Sequence, residues 1–264
     1  MQARSALFDL YGDHLRPRGG RAPVAALVRL LQPLGITGPA VRTAISRMAR
    51  QGWLRPVRLS AGPGYALSDR AARRLDDAAA RIYRTNAVSW NGQFDLVIVA
   101  PPLARTERRR LAAQLAFLGY GALSDLTWVA ARPGEGVDAV LAESGLRHDR
   151  LTARHAQGAR AAARLVDRAW DLPALSAAYR DFQQELTPVV TDLGDDDVDA
   201  YAARFQLVHA WRSFLFRDPA LPPTLLPADW AGVAAATFFG HHAAQLRPAA
   251  DRYVDRCLTP SQGW

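Results

Sequence analysis

The sequence predicts a multidomain α+β protein with three parts. They are an N-terminal winged helix-turn-helix over 1–86, a central ferredoxin-like sandwich over 87–157 and a helical, all-α C-terminal domain over 158–264. Three observations predict this. The first third holds three amphipathic helical stretches followed by two short extended runs around a Gly/Pro turn. The middle alternates strand and helix patterns in the order βαββαβ. From Ala159 onward the pattern is helical throughout, punctuated by prolines.

The N-terminal elements follow from spacing and punctuation. Leu7, Leu10 and Tyr11 recur at helical spacing, which predicts a helix over Ala6–Leu15, broken by the Pro17–Gly20 cluster. Pro23 opens a second helix, with Val24, Leu27, Val28 and Leu31 as its apolar stripe and Gly35 as its end. Thr37 is the expected N-cap of a third helix, with Pro39 in its first turn and Gly52 as its stop. On that helix Val41, Ala44, Ile45 and Met48 face one way, and Arg42, Thr43, Ser46, Arg47 and Arg50 face the other. Trp53–Arg58 and Tyr65–Leu67 read as strands around the turn Ser60–Gly64, and Ser68 caps a helix through about Arg84. Three helices and a ribbon are the order of a winged helix-turn-helix, whose third helix carries donors for base edges and phosphates. Arg55 and Arg58 on the ribbon are placed to reach phosphate or the minor groove.

Charge supports that reading. The chain has 264 residues and a formal net charge of +8, and every basic residue is Arg. Residues 1–84 hold 15 Arg and 5 acids, whereas residues 85–264 hold 18 Arg and 20 acids. The whole excess of positive charge therefore sits in the first third, as expected of a module for nucleic acid or an anionic surface. A solvated basic surface without a partner is the plainer alternative.

In the middle, Phe94–Ala100 reads as a buried strand ended by Pro101 and Pro102. Thr106 is the expected cap of a helix through Phe117. Tyr120–Leu123 and Leu126–Ala131 read as strands, Val137–Ser144 as a short helix and Leu146–His155 as a last strand. The expected C-terminal helices are Ala161–Ala169, Leu175–Leu186, Val198–Phe216, Trp230–Leu246 and Ala249–Cys257.

Several classes are excluded. A hydrophobic fraction of 49% with 22% charged residues is that of a folded chain. The single cysteine, Cys257, forbids an intrachain disulfide and a thiolate metal cluster. Asp9, Asp13 and His14 interrupt the N-terminus where a signal peptide needs an apolar core, and the longest apolar runs are about half the ~20 residues of a membrane-spanning helix. A cytoplasmic protein is the expectation. No nucleophile elbow, phosphate-binding glycine loop, zinc-protease motif or dinucleotide fingerprint is present, so no enzyme, catalytic residue, metal or cofactor is expected. His241 and His242 are adjacent and point in different directions on a helix. The acidic run Asp195, Asp196, Asp197 and Asp199 suits a helix start.

These elements carry motifs that resemble the PaaX family of bacterial transcription regulators. Ser5-Ala-Leu-Phe-Asp-Leu-Tyr-Gly-Asp13 resembles that family's opening, and Val41-Arg-Thr-Ala-Ile-Ser-Arg-Met48 with Gly52-Trp-Leu54 resembles its recognition-helix signature. Arg81-Ile-Tyr83, Trp90 to Val99, Arg105 through Gly121, Asp218-Pro-Ala-Leu-Pro222 and Leu226-Pro-Ala-Asp-Trp-Ala-Gly232 continue the match in order. Ala231 stands where the family motif is expected to have proline.

The resemblance implies a homodimeric transcriptional repressor of aromatic-acid catabolism, chiefly phenylacetate degradation. Such a repressor binds double-stranded operator DNA and is released by an acyl-CoA effector such as phenylacetyl-CoA. It assigns DNA reading to Arg42, Thr43, Ser46 and Arg47. Candidate effector residues are Arg108 and Arg109 as a phosphate clamp, with His209, Trp211 and Arg212 for an aromatic acyl group and a phosphate. A solvated helix face and core packing are the respective alternatives, and Arg108–Arg110 could also extend the DNA footprint. The central domain is similar to small CRISPR spacer-acquisition proteins, which place a metal-binding Asp directly after the first strand. Here Ala100-Pro101-Pro102 follows that strand, which argues against the alternative of a metal-dependent nuclease. An effector-independent DNA-binding protein is the other alternative.

Overall fold

The computed structural model describes residues 1–73, 75, 90–132, 134 and 136–259. The chain is a multidomain α+β protein with two antiparallel sheets, and it divides into two compact units, neither continuous in sequence. One unit gathers Met1–Arg84, Phe182–Arg212 and Ala234–Trp264, and the other gathers Thr85–Asp181 and Ser213–Val233.

The first unit opens with α1 (Ala3–Leu10), which continues through a π-helical turn at Tyr11–Leu15 and a 3₁₀ turn at Arg16–Arg18. The helix thus begins three residues before the predicted start. Leu7, Leu10 and Tyr11 are buried as the spacing requires, but so are Asp9 and His14. A short strand not foreseen from the sequence follows, β1 (Arg21–Pro23). Pro23 ends this strand and is the N-cap of α2 (Val24–Leu31) rather than its first residue. Gly35, at φ +73°, turns the chain after a 3₁₀ segment, and α3 (Gly38–Arg50) follows. Strands β2 (Leu54–Leu59) and β3 (Gly62–Leu67) complete a sheet of order β1-β3-β2.

The predicted five-residue turn is tighter than expected: residues 62–64 belong to β3, leaving Ser60 and Ala61 between the strands. Pro63 is tolerated there because it lies beyond the end of β1, where β3 has no second neighbour. Gly64 is required, since a Cβ at this position would lie 2.5 Å from the Ala22 carbonyl oxygen. Ser68 caps α4 as predicted, its Oγ accepting the Ala71 N–H at 3.2 Å. That helix begins at residue 69. Its predicted continuation to Arg84, including Arg81–Tyr83, lies outside the described residues.

The second unit holds β4 (Gln93–Val99), α5 (Arg105–Phe117), β5 (Gly121–Ser124), β6 (Thr127–Ala130), α6 (Val137–Ser144) and β7 (His148–Arg154). The sheet order is β5-β6-β4-β7, antiparallel throughout. Alternation along β4 sends Val97 and Val99 to a core with Leu111, Leu115 and Leu141 of α5 and α6. It sends Phe94 to the opposite face, against Ala162 and Val166 of α7 (Ala159–Ala169) and Leu225. The N-cap of α5 is Ala104 rather than Thr106. Its N–H donates to Glu107 Oε2 at 3.2 Å, so the carboxylate supplies the capping that Ala104 lacks.

The last helices depart from the predicted bounds. α8 (Leu172–Thr191) runs through Pro188, α9 spans Asp197–Trp211 with a 3₁₀ extension to Phe216, and α10 (Gly232–Leu258) merges two predicted helices across Pro248. Proline removes one helical N–H and crowds the preceding turn. The carbonyl that Pro248 leaves without its helical donor is that of Ala244, an exposed residue open to water, while the buried Arg204 guanidinium donates to the neighbouring Ala243 carbonyl. The acidic run sits at the start of α9, with Asp196 as N-cap and Asp197 paired to Arg252 and Arg256.

α9 and α10 belong to the core of the first unit. Tyr201, Phe205 and Val254 pack with Leu7, Leu27, Val41 and Met48 in one apolar cluster. Each such buried side chain contributes about 1.5–3 kcal/mol relative to exposure. Tyr201 Oη donates to the Leu30 carbonyl at 2.8 Å, and Arg29 donates to that of Cys257 at 2.5 Å. Among the described residues, no helix is long and apolar enough to cross a membrane.

Candidate nucleic-acid interface

α3 divides its residues as the spacing predicts. Val41, Ala44, Ile45 and Met48 are buried, and Arg42, Thr43, Ser46, Arg47 and Arg50 are exposed. Thr43, Arg47 and Arg50 fall on one stripe, with Arg42 and Ser46 beside it. Thr37 occupies the N-cap position, where its carbonyl accepts the first helical bond from the Val41 N–H at 3.0 Å, but its hydroxyl makes no capping hydrogen bond. Gly38 leaves room for the Arg42 guanidinium, whose Nη1 lies 3.1 Å from where a Cβ would stand.

The ribbon is tied to the end of this helix. Trp53 N–H donates to the Met48 carbonyl at 2.9 Å, and Ser68 Oγ donates to that of Gly52 at 2.7 Å. The Trp53 ring meets Phe8 edge to face at 5.2 Å, with the Arg70 guanidinium 5.0 Å from its centroid. Arg55 pairs opposite Ala66 and Arg58 opposite Pro63, and both are exposed. Being three residues apart on a strand, they leave from opposite faces of the ribbon. All seven expected DNA contacts therefore lie on exposed surface of the first unit, on α3 and the adjoining ribbon. The seven offer five guanidinium forks and two hydroxyls, donors suited to phosphate oxygens and purine edges.

The five candidate effector residues divide between the units. Arg108 and Arg109 belong to α5 of the second, where Arg108 pairs with Asp125 and Arg109 is exposed. His209, Trp211 and Arg212 belong to the first. The Trp211 ring stacks on Phe239 at 4.7 Å and packs against Phe182. Arg212 pairs with the buried Asp9 carboxylate, and His209 Nδ1 meets the other oxygen of Asp9 at 2.5 Å. Burial, then the N-terminal ammonium, push the His209 imidazole below its ordinary pKa. His209 also borders a groove of about 460 Å³ with Leu34, Leu186 and Gln206.

A set of buried charges went unread in the sequence. Arg204, 1% exposed, pairs with Asp13 at 2.7 Å. His14 is fully buried between Asp13 at 3.3 Å and Asp251 at 3.8 Å, and Arg18 pairs with Asp251 at 3.1 Å. In the sequence, Asp9, Asp13 and His14 read as polar breaks in the N-terminus, Asp9 and Asp13 within the family-like opening motif, and not as a buried set. Their signal was available, because charged residues on the apolar face of a helix need buried partners. In the second unit Asp95 is likewise engaged: Arg150 Nε contacts both its oxygens at 3.0 and 3.1 Å, and Tyr120 donates to it. Among the described residues, no three of the His, Cys, Asp and Glu side chains come together as a metal site.

Comparison with known proteins agrees with the motifs. Residues 2–71 match the family model described as PaaX-like protein, and residues 170–256 match that of the PaaX-like protein C-terminal domain. The chain is 33% identical over 263 residues to the transcriptional repressor PaaX of Escherichia coli (strain K12), covering 95% of this chain and 82% of that one. It is also similar to the structure of the uncharacterized protein Rv0674 from Mycobacterium tuberculosis, with a TM-score of 0.65 and 25% identity. That match covers 95% of this chain and 98% of the other.

Proposed function

The chain belongs to the PaaX family, whose members are transcriptional repressors and not enzymes, and on that premise we propose that it is a DNA-binding repressor of phenylacetate-type catabolism. The observation that carries the proposal is the exposed face of α3, where Arg42, Thr43, Ser46 and Arg47 stand free above a buried apolar face. We read 1–86 as a winged helix-turn-helix, 87–157 as a ferredoxin-like sandwich and 158–264 as a helical domain. The order of α1 to β3 with its ribbon supports the first reading. The antiparallel order β5-β6-β4-β7, with α5 and α6 packed on one face, supports the second.

In this reading α3 lies in a major groove, with Arg42, Thr43, Ser46 and Arg47 toward base edges and Arg50, Arg55 and Arg58 toward phosphates or the minor groove. A homodimer places two such helices roughly one DNA turn apart. An acyl-CoA such as phenylacetyl-CoA releases the DNA by binding better to a form whose spacing is wrong. A coupling of about 1–3 kcal/mol changes DNA affinity 5–150-fold. The nuclease alternative finds no support in Asp95, whose carboxylate is already held by Arg150 and Tyr120.

Fluorescence anisotropy on duplex DNA from upstream of the chain's own operon, against scrambled DNA at physiological salt, tests the proposal. Selective binding is expected, and it is expected to be lost on adding phenylacetyl-CoA. Selective binding indifferent to the thioester would leave an effector-independent DNA-binding protein, and equal weak binding to both DNAs would remove the repressor reading.

A further inference from the structure

We propose that the outward arginines of α5 form a second contact with the phosphate backbone of duplex DNA, distinct from the face of α3, an inference that rests on the DNA-binding reading above. Four of the six residues Arg105–Arg110 are arginines, in a stretch of chain (85–264) that otherwise carries no excess of positive charge. Their local neutralisation is incomplete. Glu107 turns back to accept the Ala104 N–H, and Asp125 pairs with Arg108 alone. Arg105, Arg109 and Arg110 are exposed and, among the described residues, make no ion pair.

The packing of α5 orients these three. Leu111 and Leu115 are buried against the sheet, so the arginines stand on the outward side. Arg105 and Arg109 are four residues apart, which stacks them about 6 Å apart along the helix. Like charges at that spacing disfavour the helix. A polyanion laid along the outward side relieves that repulsion, whereas burial in the fold does not. A protein partner of ordinary kind is less well matched, because among the described residues none of the exposed large apolar ones (Met1, Leu151 and Val233) lies on α5. The chemistry is that of phosphate binding without base reading: guanidinium forks on an exposed face, contributing affinity and salt dependence but no sequence preference.

The test uses the full chain and a random-sequence duplex of about 60 base pairs, with anisotropy measured across a salt series. It compares the wild type, the triple variant Arg105→Ala/Arg109→Ala/Arg110→Ala, the same triple change to Lys, and Arg47→Ala as a variant of the α3 face. Each lost phosphate contact lowers the slope of log K against log salt by about one. The triple Ala variant is therefore expected to lose about 2–3 from the slope and to weaken equally on operon-upstream and scrambled DNA. The Lys variant is expected to keep the slope, which separates loss of charge from loss of fold, and matching thermal melts check the same point. A triple Ala variant with the wild-type slope, while Arg47→Ala still weakens binding, would overturn the proposal and leave the α3 reading standing. No DNA binding by the wild type would overturn both.

Discussion

Arg47 sits one turn beyond Thr43 on the exposed stripe of α3, and its chemistry decides what its removal does. If its guanidinium forks onto a base edge, Arg47→Ala costs about 1–3 kcal/mol of DNA affinity and relaxes specificity at one position, read by anisotropy against single-base variants of the operator. Asp13 illustrates the opposite kind of charge. It is buried and faces Arg204, which is itself 1% exposed. Removing one partner of such a pair strands the other away from water, so Asp13→Ala should lower stability by roughly 3–5 kcal/mol in urea unfolding. The double variant Asp13→Leu/Arg204→Met should recover part of that loss, because no buried ion is then left alone. Both changes lie away from the exposed face of α3.

At the scale of the element, several signals that act within a turn or two were legible. The 3.6-residue stripe of α3, the glycine stop at Gly52 and the Ser68 cap all work within one or two turns, and each appears where the spacing put it. Pro248 misled because the carbonyl it leaves without a helical donor, that of Ala244, falls on an exposed part of α10, which only the packing of the chain decides. The buried charges were hidden for the same reason, since Arg204 meets Asp13 across 191 positions of sequence. β1 has three residues and no alternation to find; only the sheet it joins makes it a strand. The glycines of this unit separate two causes of intolerance. Gly35→Ala forces a side chain into the left-handed region with open space around it, at about 1–2 kcal/mol. Gly64→Ala drives a methyl into the Ala22 carbonyl and should detach β1 from β3, so the larger fall in thermal midpoint is expected at Gly64.

For the whole molecule, buried charge ties stability to acidity. Asp251 is pulled down to about 2, first by the His14 imidazole 3.8 Å away and then by Arg18, against the opposing effect of burial. A carboxyl with a depressed pKa in the fold stabilises above its unfolded value near 3.8 and loses that contribution as pH falls toward 2. The thermal midpoint should therefore drop between about pH 5 and pH 2, and Asp251→Asn should flatten part of that drop.

The discontinuity of the first unit also has a meaning in time. Leu7, Leu27 and Val41 share their core with Tyr201 and Val254, so the segment bearing α3 lacks part of its interior until the end of the chain has been made. At ordinary rates of synthesis, residue 254 follows residue 84 by roughly 10–35 s. A growing chain therefore carries its arginine face on an unfinished support, and a truncated product lacks the packing that steadies α3. The order in which the polypeptide is assembled thus leaves the core beneath α3 incomplete until the last helix has been made.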